Sequence, residues 1–198
     1  MMQRIWKAHE KARWAVALSG MSTGTVLLLR RMRAELLRRG SLRPSTVVAM
    51  YGAHATAVVI SLHRRSLPLR IHPALSTAAG TTLIAGGGTA CVAGMATFAD
   101  PGQVSGTKPG ELLTGGIYRY SRNPQYLGYL LVLTGLGTAR RSGLALALGA
   151  ATGLVFRWWI PIEERHLQRE FGEPYRQYRA RVPRWFGRPR QAGFRSSS

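Results

Sequence analysis

Two polar blocks in the second half of the chain carry the residue types best suited to chemistry. The first block covers residues 116–128 and contains Arg122, and the second covers residues 162–183 and begins with the paired carboxylates Glu163 and Glu164. Only 8 of the 198 residues are acidic, so two adjacent carboxylates at the end of an apolar stretch stand out. A buried carboxylate needs a cation or a hydrogen-bond donor. Together the blocks could hold the charged groups of a small ligand.

The two blocks are separated by a mostly apolar stretch, residues 129–161. This is long enough for the chain to enter a membrane, turn and return. Both blocks would then lie on the same side of the bilayer. The hairpin therefore predicts that Arg122 and Asn123 lie beside Glu163 and Glu164 in one polar cluster.

Each of these residues also has a structural explanation when it is taken alone. Asn123 and Pro124 suit the N-cap and the first position of a helix. Arg122 suits a positively charged anchor, and the tyrosines of the first block suit an interfacial aromatic belt. The Glu pair could match Arg157 or Arg165 at the surface. The hairpin favours the polar cluster because it returns both blocks to one level.

The charge pattern predicts a membrane protein. Lys and Arg total 28, for a net charge of +20, and they gather in clusters between long apolar stretches. That distribution is typical of a polytopic membrane protein and excludes a nucleic-acid binder. The sequence therefore predicts an all-α membrane helical bundle with about five transmembrane helices. The candidate spans are residues 14–29, 45–62, 74–99, 126–139 and 142–160.

The basic loops also predict the orientation. The 30–43 loop, the 100–125 loop and the C-terminal tail carry twice as many Lys and Arg residues as the opposite side, which places them in the cytoplasm. We expect an integral protein of the plasma (inner) membrane with a cytoplasmic C-terminus. Residues 161–184 have the apolar spacing of an amphipathic helix on that face, interrupted at 172–174.

We expect a single membrane domain spanning residues 1–198. It would comprise a two-helix region (1–73), a core (74–187) and a disordered tail (188–198). The lone Cys91 and the scattered histidines predict no metal site.

Helix interiors supply two further expectations. Gly86, Ala90 and Gly94 recur every four residues, which predicts one face where helices pack closely in lipid. His54 lies inside the second span with Tyr51 one turn before it. An ionisable residue within a span suggests either a functional contact or a hydrogen bond to a neighbouring helix.

Taken together, the blocks resemble the isoprenylcysteine carboxyl methyltransferase family and its phospholipid N-methyltransferase relatives. The resemblance covers roughly residues 75–187. It depends on the order of several motifs, each weak by itself, around the apolar hairpin. The matching segments are Gly116–Tyr118, Arg122–Tyr126, Glu163–Glu164, Phe171–Tyr175, Tyr178 and Arg181–Pro183.

This resemblance implies an integral membrane methyltransferase that uses S-adenosylmethionine and acts on a lipophilic or small-molecule acceptor. Many members have His where this chain has Asn123, and an amide cannot accept a proton as imidazole can. When the family's site residues are carried over to the matching positions of this chain, the catalytic residues would be Arg122 and Glu163. The cofactor-binding residues would be Tyr118, Arg122, Asn123, Pro124, Tyr126, Glu163 and Glu164, and substrate contacts would come from Tyr51, His54 and Tyr175.

Two other functions stay open at this stage. A sterol-reductase-like membrane enzyme would use NADPH. Such enzymes typically carry Asp after a Tyr-x-Gly step and an Arg-Asp-Glu block, whereas here Gly128 is followed by Tyr129 and the acidic block reads Ile-Glu-Glu. A non-enzymatic basic scaffold would bind anionic lipid through its tail. Paired glutamates favour methyl transfer, in which the protein aligns donor and acceptor and excludes water.

Overall fold

The computed structural model describes residues 23–63 and 67–189, and within these ranges the chain is helical without a β-strand. Four helices begin with proline, which suits the first helical position because the missing N–H would be unpaired there in any case. The predicted all-α class is confirmed. The helices are α1 (residues 23–39), α2 (Pro44–His63), α3 (Pro73–Met95), α4 (Pro101–Val104), α5 (Pro124–Ala139) and α6 (Gly143–Arg181), with a 3-10 turn at Gly116–Arg119.

Three of the described helices are long and apolar enough to cross a membrane. They are Pro44–Leu62, Pro73–Met95 and Gly143–Arg181. α5 has 16 residues, fewer than the ~20 that a spanning helix normally needs. The predicted span at 14–29 lies outside the described residues up to position 22. The predicted span at 74–99 is too long, because α3 ends at Met95.

α3 and α5 pack with their backbones in close contact. A Cβ atom added to Gly87 would lie 2.5 Å from the carbonyl oxygen of Gly128, and one added to Gly80 would lie 2.7 Å from that of Gly135. A real Cβ atom does not approach a carbonyl oxygen this closely, so the packing requires glycine at both positions of α3. This contact fixes the start of α5, and with it the first motif block, against α3.

The packing face of α3 differs from the one that the four-residue spacing predicts. A Cβ atom on Gly86 would meet nothing within 4 Å, whereas Gly80, Gly87 and Gly94 all face α5. The expected face through Gly86 and Gly94 is therefore wrong. The observed glycines recur every seven residues, the heptad period of a helix–helix seam, and their partners show that α3 and α5 run antiparallel: Gly80 meets Gly135, Gly87 meets Gly128 and Gly94 meets Gln125.

α6 carries the second motif block out of the hairpin and continues far beyond it. The helix runs through Pro161 to Arg181 and is broken at Gly172, whose φ of 55° lies in the left-handed region that favours glycine. The predicted interruption at 172–174 is confirmed. Beyond α6 the chain folds back as a C-terminal strap, residues 183–187, against the first block.

Candidate active site

Asn123 holds the first block to the C-terminal strap. It occupies the N-cap position of α5, as predicted, but its side chain makes no capping hydrogen bond. Instead, Nδ2 donates to the carbonyl oxygen of Arg184 at 3.0 Å. The backbone N–H of Arg122 donates to the carbonyl of Pro183 at 3.1 Å, and that of Gly187 donates to Tyr120 at 3.0 Å. Three hydrogen bonds thus bind the strap to the block.

Glu164 lies between two guanidinium groups. Its Oε1 is 2.9 Å from Nη1 of Arg122, and its Oε2 accepts from Nη2 of Arg184 at 2.7 Å. Nε of Arg184 also donates to Oε1 at 3.2 Å, so this pair is bidentate. These hydrogen bonds raise the pKa of Arg184. The Arg–Glu cluster predicted from the hairpin is therefore present, and the alternative partners Arg157 and Arg165 form no ion pair with Glu164.

Glu163 has a different environment although it is the next residue. Its Oε1 accepts from the hydroxyl of Tyr126 at 2.7 Å and from the indole N–H of Trp159 at 2.6 Å. The ring of Tyr126 packs against Phe156 with centroids 4.5 Å apart. Within the described residues Glu163 has no cation partner. One carboxylate is thus held by guanidinium groups and its neighbour by neutral donors.

A group of tyrosines closes the site on the side of the 3-10 turn. The hydroxyl of Tyr178 donates to the carbonyl of Tyr118 at 2.9 Å, and Gln125 donates to the hydroxyl of Tyr118 at 3.2 Å. Burial, followed by the charge of Glu163, raises the pKa of Tyr118 well above its usual value. Tyr175, only 1% exposed, packs in the same core cluster. These residues form a rigid, protonated wall.

Arg122 also faces a cavity. This cavity has a volume of about 210 Å³ and is lined by Arg122 and residues 179–184. Nε and Nη1 of Arg122 are buried and make no hydrogen bond within the described residues, although Nη1 stands in the ion pair with Glu164. Buried donors without a hydrogen bond are costly. An anionic ligand group could accept a hydrogen bond from Nε.

The two residues predicted on α2 lie apart from the ion cluster. The ring of His54 is 5.5 Å from that of Tyr129, and its Nε2 is buried without a hydrogen bond among the described residues. Tyr129 in turn lies 6.4 Å from Phe156, the ring that packs on Tyr126. Tyr51 is 55% exposed. A chain of aromatic rings therefore separates His54 from Glu163.

Sequence reasoning missed Arg184, Trp159 and Gln125. Trp159 lies four residues before Glu163 on the same helix, so helical spacing could have identified it. Arg184 follows the end of α6, and no periodic pattern links it to Glu164. Only the backward fold of the strap brings the two together.

The fold and the site define a class: integral membrane proteins in which a helical hairpin joins an Arg-Asn-Pro block to a glutamate pair. The model of the phospholipid methyltransferase family matches residues 75–174, half of the chain, and the chain belongs to this family.

Two curated relatives are similar to part of the chain. Protein-S-isoprenylcysteine O-methyltransferase B of Arabidopsis thaliana is 34% identical over 74 residues, which are 37% of this chain and 38% of the relative. Protein-S-isoprenylcysteine O-methyltransferase of Schizosaccharomyces pombe is 37% identical over 75 residues, which are 36% of this chain and 31% of the relative. The match thus spans about a third of the length of either relative.

Proposed function

We propose that this protein transfers a methyl group from S-adenosylmethionine to a lipophilic or small-molecule acceptor at the membrane interface. The observation that carries the proposal is the junction of the two motif blocks. Tyr126 contacts Glu163 at 2.7 Å, and Arg122 contacts Glu164 at 2.9 Å. Membership of the phospholipid methyltransferase family and the names of both relatives support the same chemistry.

The residues present fit the cofactor. S-adenosylmethionine supplies a methyl group bound to a positively charged sulfonium sulfur. The leaving group is therefore a neutral thioether. The buried Nε of Arg122 would donate to its carboxylate, since this atom makes no hydrogen bond among the described residues. Glu163 would accept from its amino group or ribose hydroxyls. Asn123 would line the pocket together with the buried Pro124, and Tyr118 would form the wall behind.

The protein contributes alignment and exclusion of water more than proton transfer. Glu164 is already occupied by Arg122 and Arg184, so we assign it to positioning Arg122. Tyr175 packs behind this cluster and supports it. Arg122 and Glu163 are the two groups that we expect to touch the cofactor. A fixed set of dipoles and charges of this kind lowers the reorganisation that transfer requires.

The acceptor would approach from the α2 side. His54 lies beyond the aromatic rings that lead to Glu163, and its buried Nε2 can still form a hydrogen bond. Tyr51, one turn before His54 on α2, would add a second contact from the same helix. The relatives are named for isoprenylcysteine and the family for phospholipids, and both are lipophilic. We therefore infer a lipophilic acceptor. The excess of Lys and Arg on the site's side supports a cofactor entrance at the cytoplasmic face of the plasma membrane.

Calorimetric titration of the full chain in detergent with S-adenosylhomocysteine tests cofactor binding. Tyr126→Phe removes the donor to Glu163 and should weaken binding about fivefold or more, by the roughly 1 kcal/mol net value of one hydrogen bond. Tyr129→Phe is the matched control, because it lies one turn on and its hydroxyl makes no hydrogen bond among the described residues. Glu163→Gln should weaken binding further.

Labelled methyl transfer in membranes that contain the protein tests the reaction. We expect labelled lipid-soluble product from wild type and none from Glu163→Gln. Binding of NADPH in place of S-adenosylhomocysteine would support the reductase and contradict methyl transfer. Equal affinity for S-adenosylhomocysteine in wild type, Tyr126→Phe and Glu163→Gln would refute the assigned pocket.

A further inference from the structure

A second cavity lies between α6 and the C-terminal strap. Its volume is about 470 Å³, more than twice that of the cavity at Arg122. Arg184 lines both cavities. The remaining lining residues of the second cavity are Gly153, Arg157, Ile160, Pro161 and Trp185.

The charge of this cavity is wholly positive. It contains two arginines and no acidic residue. Arg184 shares Glu164 with Arg122, whereas Arg157 is exposed and has no ion-pair partner among the described residues. An arginine without an ion-pair partner in the apolar part of a membrane helix is costly unless an anion binds to it. The cavity therefore lacks a negative charge.

The surroundings of the cavity match a membrane interface. Trp158 is 42% exposed, Trp185 37% and Phe186 70%. Exposed tryptophans of this kind sit at the level of lipid headgroups. Leu154, one turn before Trp158 on α6, is 69% exposed and continues the surface into the apolar region. A ligand here would have its charged group at the arginines and its apolar part along α6.

We propose that this cavity binds the phosphate of an anionic membrane lipid between Arg157 and Arg184. Guanidinium groups suit phosphate because their N–H donors match its oxygens in pairs. This lipid is a bound partner and not the methyl acceptor. Since Arg184 also holds Glu164 and the carbonyl of Arg184 holds Asn123, the bound lipid would stabilise the strap over the site.

The test uses the full chain in detergent, with thermal unfolding measured as phosphatidylglycerol is added. Arg157→Gln should weaken the apparent affinity for phosphatidylglycerol about fivefold, the value of one arginine near an anionic headgroup. Arg157→Lys keeps the charge and should retain most of the affinity. Arg169→Gln, an exposed arginine of the same helix outside the cavity, is the matched control and should bind as wild type does.

Three probes separate the possible ligands. Phosphatidylglycerol should raise the unfolding temperature of wild type, and phosphatidylcholine should raise it less because its headgroup carries no net charge. Inorganic phosphate at millimolar concentration should give no shift, because it lacks the apolar part. Equal shifts for wild type, Arg157→Gln and Arg169→Gln would overturn the proposal, as would a full response to inorganic phosphate. Because the measurement is binding, the absence of methyl transfer would not affect it.

Discussion

Nη1 of Arg122 lies 2.9 Å from Oε1 of Glu164, and this contact joins the first motif block to the second across the α5–α6 hairpin. Both side chains are less than 10% exposed. Arg184 supplies a second guanidinium to the same carboxylate from the strap. One buried anion therefore ties together the start of α5, the middle of α6 and the segment that follows α6.

Removing this anion should destabilise the protein strongly. In Glu164→Gln, Arg122 stays buried without a counter-charge, and the loss of one partner of a buried ion pair typically costs about 3–5 kcal/mol. We expect the free energy of unfolding in detergent, measured by chemical denaturation, to fall by that amount. Glu173→Gln breaks an exposed pair with Arg176 and is the control, in which no change should be measurable. Similar stability of Glu164→Gln and wild type would contradict the ion cluster as described.

The strap should loosen when Asn123 is replaced by Ala. This substitution removes the hydrogen bond to the carbonyl of Arg184 and leaves α5 otherwise intact, because the side chain of Asn123 makes no capping hydrogen bond. We expect trypsin to cleave after Arg184 several-fold faster, by the roughly 1 kcal/mol net value of one hydrogen bond. Gln103→Ala, whose side chain makes no hydrogen bond among the described residues, should leave the cleavage rate unchanged. Equal rates in all three proteins would show that Asn123 does not hold the strap.

Two neighbouring glycines of α3 should respond in opposite ways. Gly87→Ala forces a Cβ to within 2.5 Å of the carbonyl of Gly128, so the helices must separate, at a cost of about 1–3 kcal/mol. The Cβ atom of Gly86→Ala would have no neighbour within 4 Å, so this substitution should leave stability unchanged or raise it slightly, because alanine favours the helix. Thermal unfolding in detergent compares them. An equal effect of both substitutions would contradict the packing of α3 on α5.

Stability should depend on pH through Glu35. Burial alone would raise the pKa of this carboxyl, but hydrogen bonds from Arg43, Thr46 and Arg31 outweigh burial and lower it below 4.5. A lowered pKa in the folded state means that the carboxylate stabilises the fold fully above pH 4.5. This contribution is lost as the pH falls through the lowered value.

Urea unfolding between pH 6 and 3 tests this expectation. Wild type should lose stability more steeply than Glu35→Gln below about pH 4.5, the ordinary pKa of a glutamate. Glu111→Gln, an exposed carboxylate without a hydrogen-bond partner in the described part of the chain, serves as the control and should keep the slope of wild type. Parallel curves for wild type and Glu35→Gln would contradict the assignment.

The elements of the fold followed from local features of the sequence. The apolar runs at residues 45–62 and 74–99 predicted α2 and α3, because an apolar run of about that length is typical of a membrane-spanning helix. Gly172 predicted the break in α6 for an equally local reason, since glycine tolerates positive φ. The face of α3 at Gly86 was predicted wrongly because small residues occur all around that helix, and only contact with α5 selects Gly80, Gly87 and Gly94.

By itself, the sequence determined the two motif blocks, the hairpin that returns Glu163 and Glu164 to the level of Arg122, and the family resemblance. The spacing of apolar residues and the length of each apolar run are properties of consecutive residues, so the sequence alone contains them. The tertiary structure decided which carboxylate meets which partner: Arg122 and Arg184 for Glu164, Tyr126 and Trp159 for Glu163. Adjacent residues of a helix point about 100° apart, and the elements packed on each side give two identical side chains different roles.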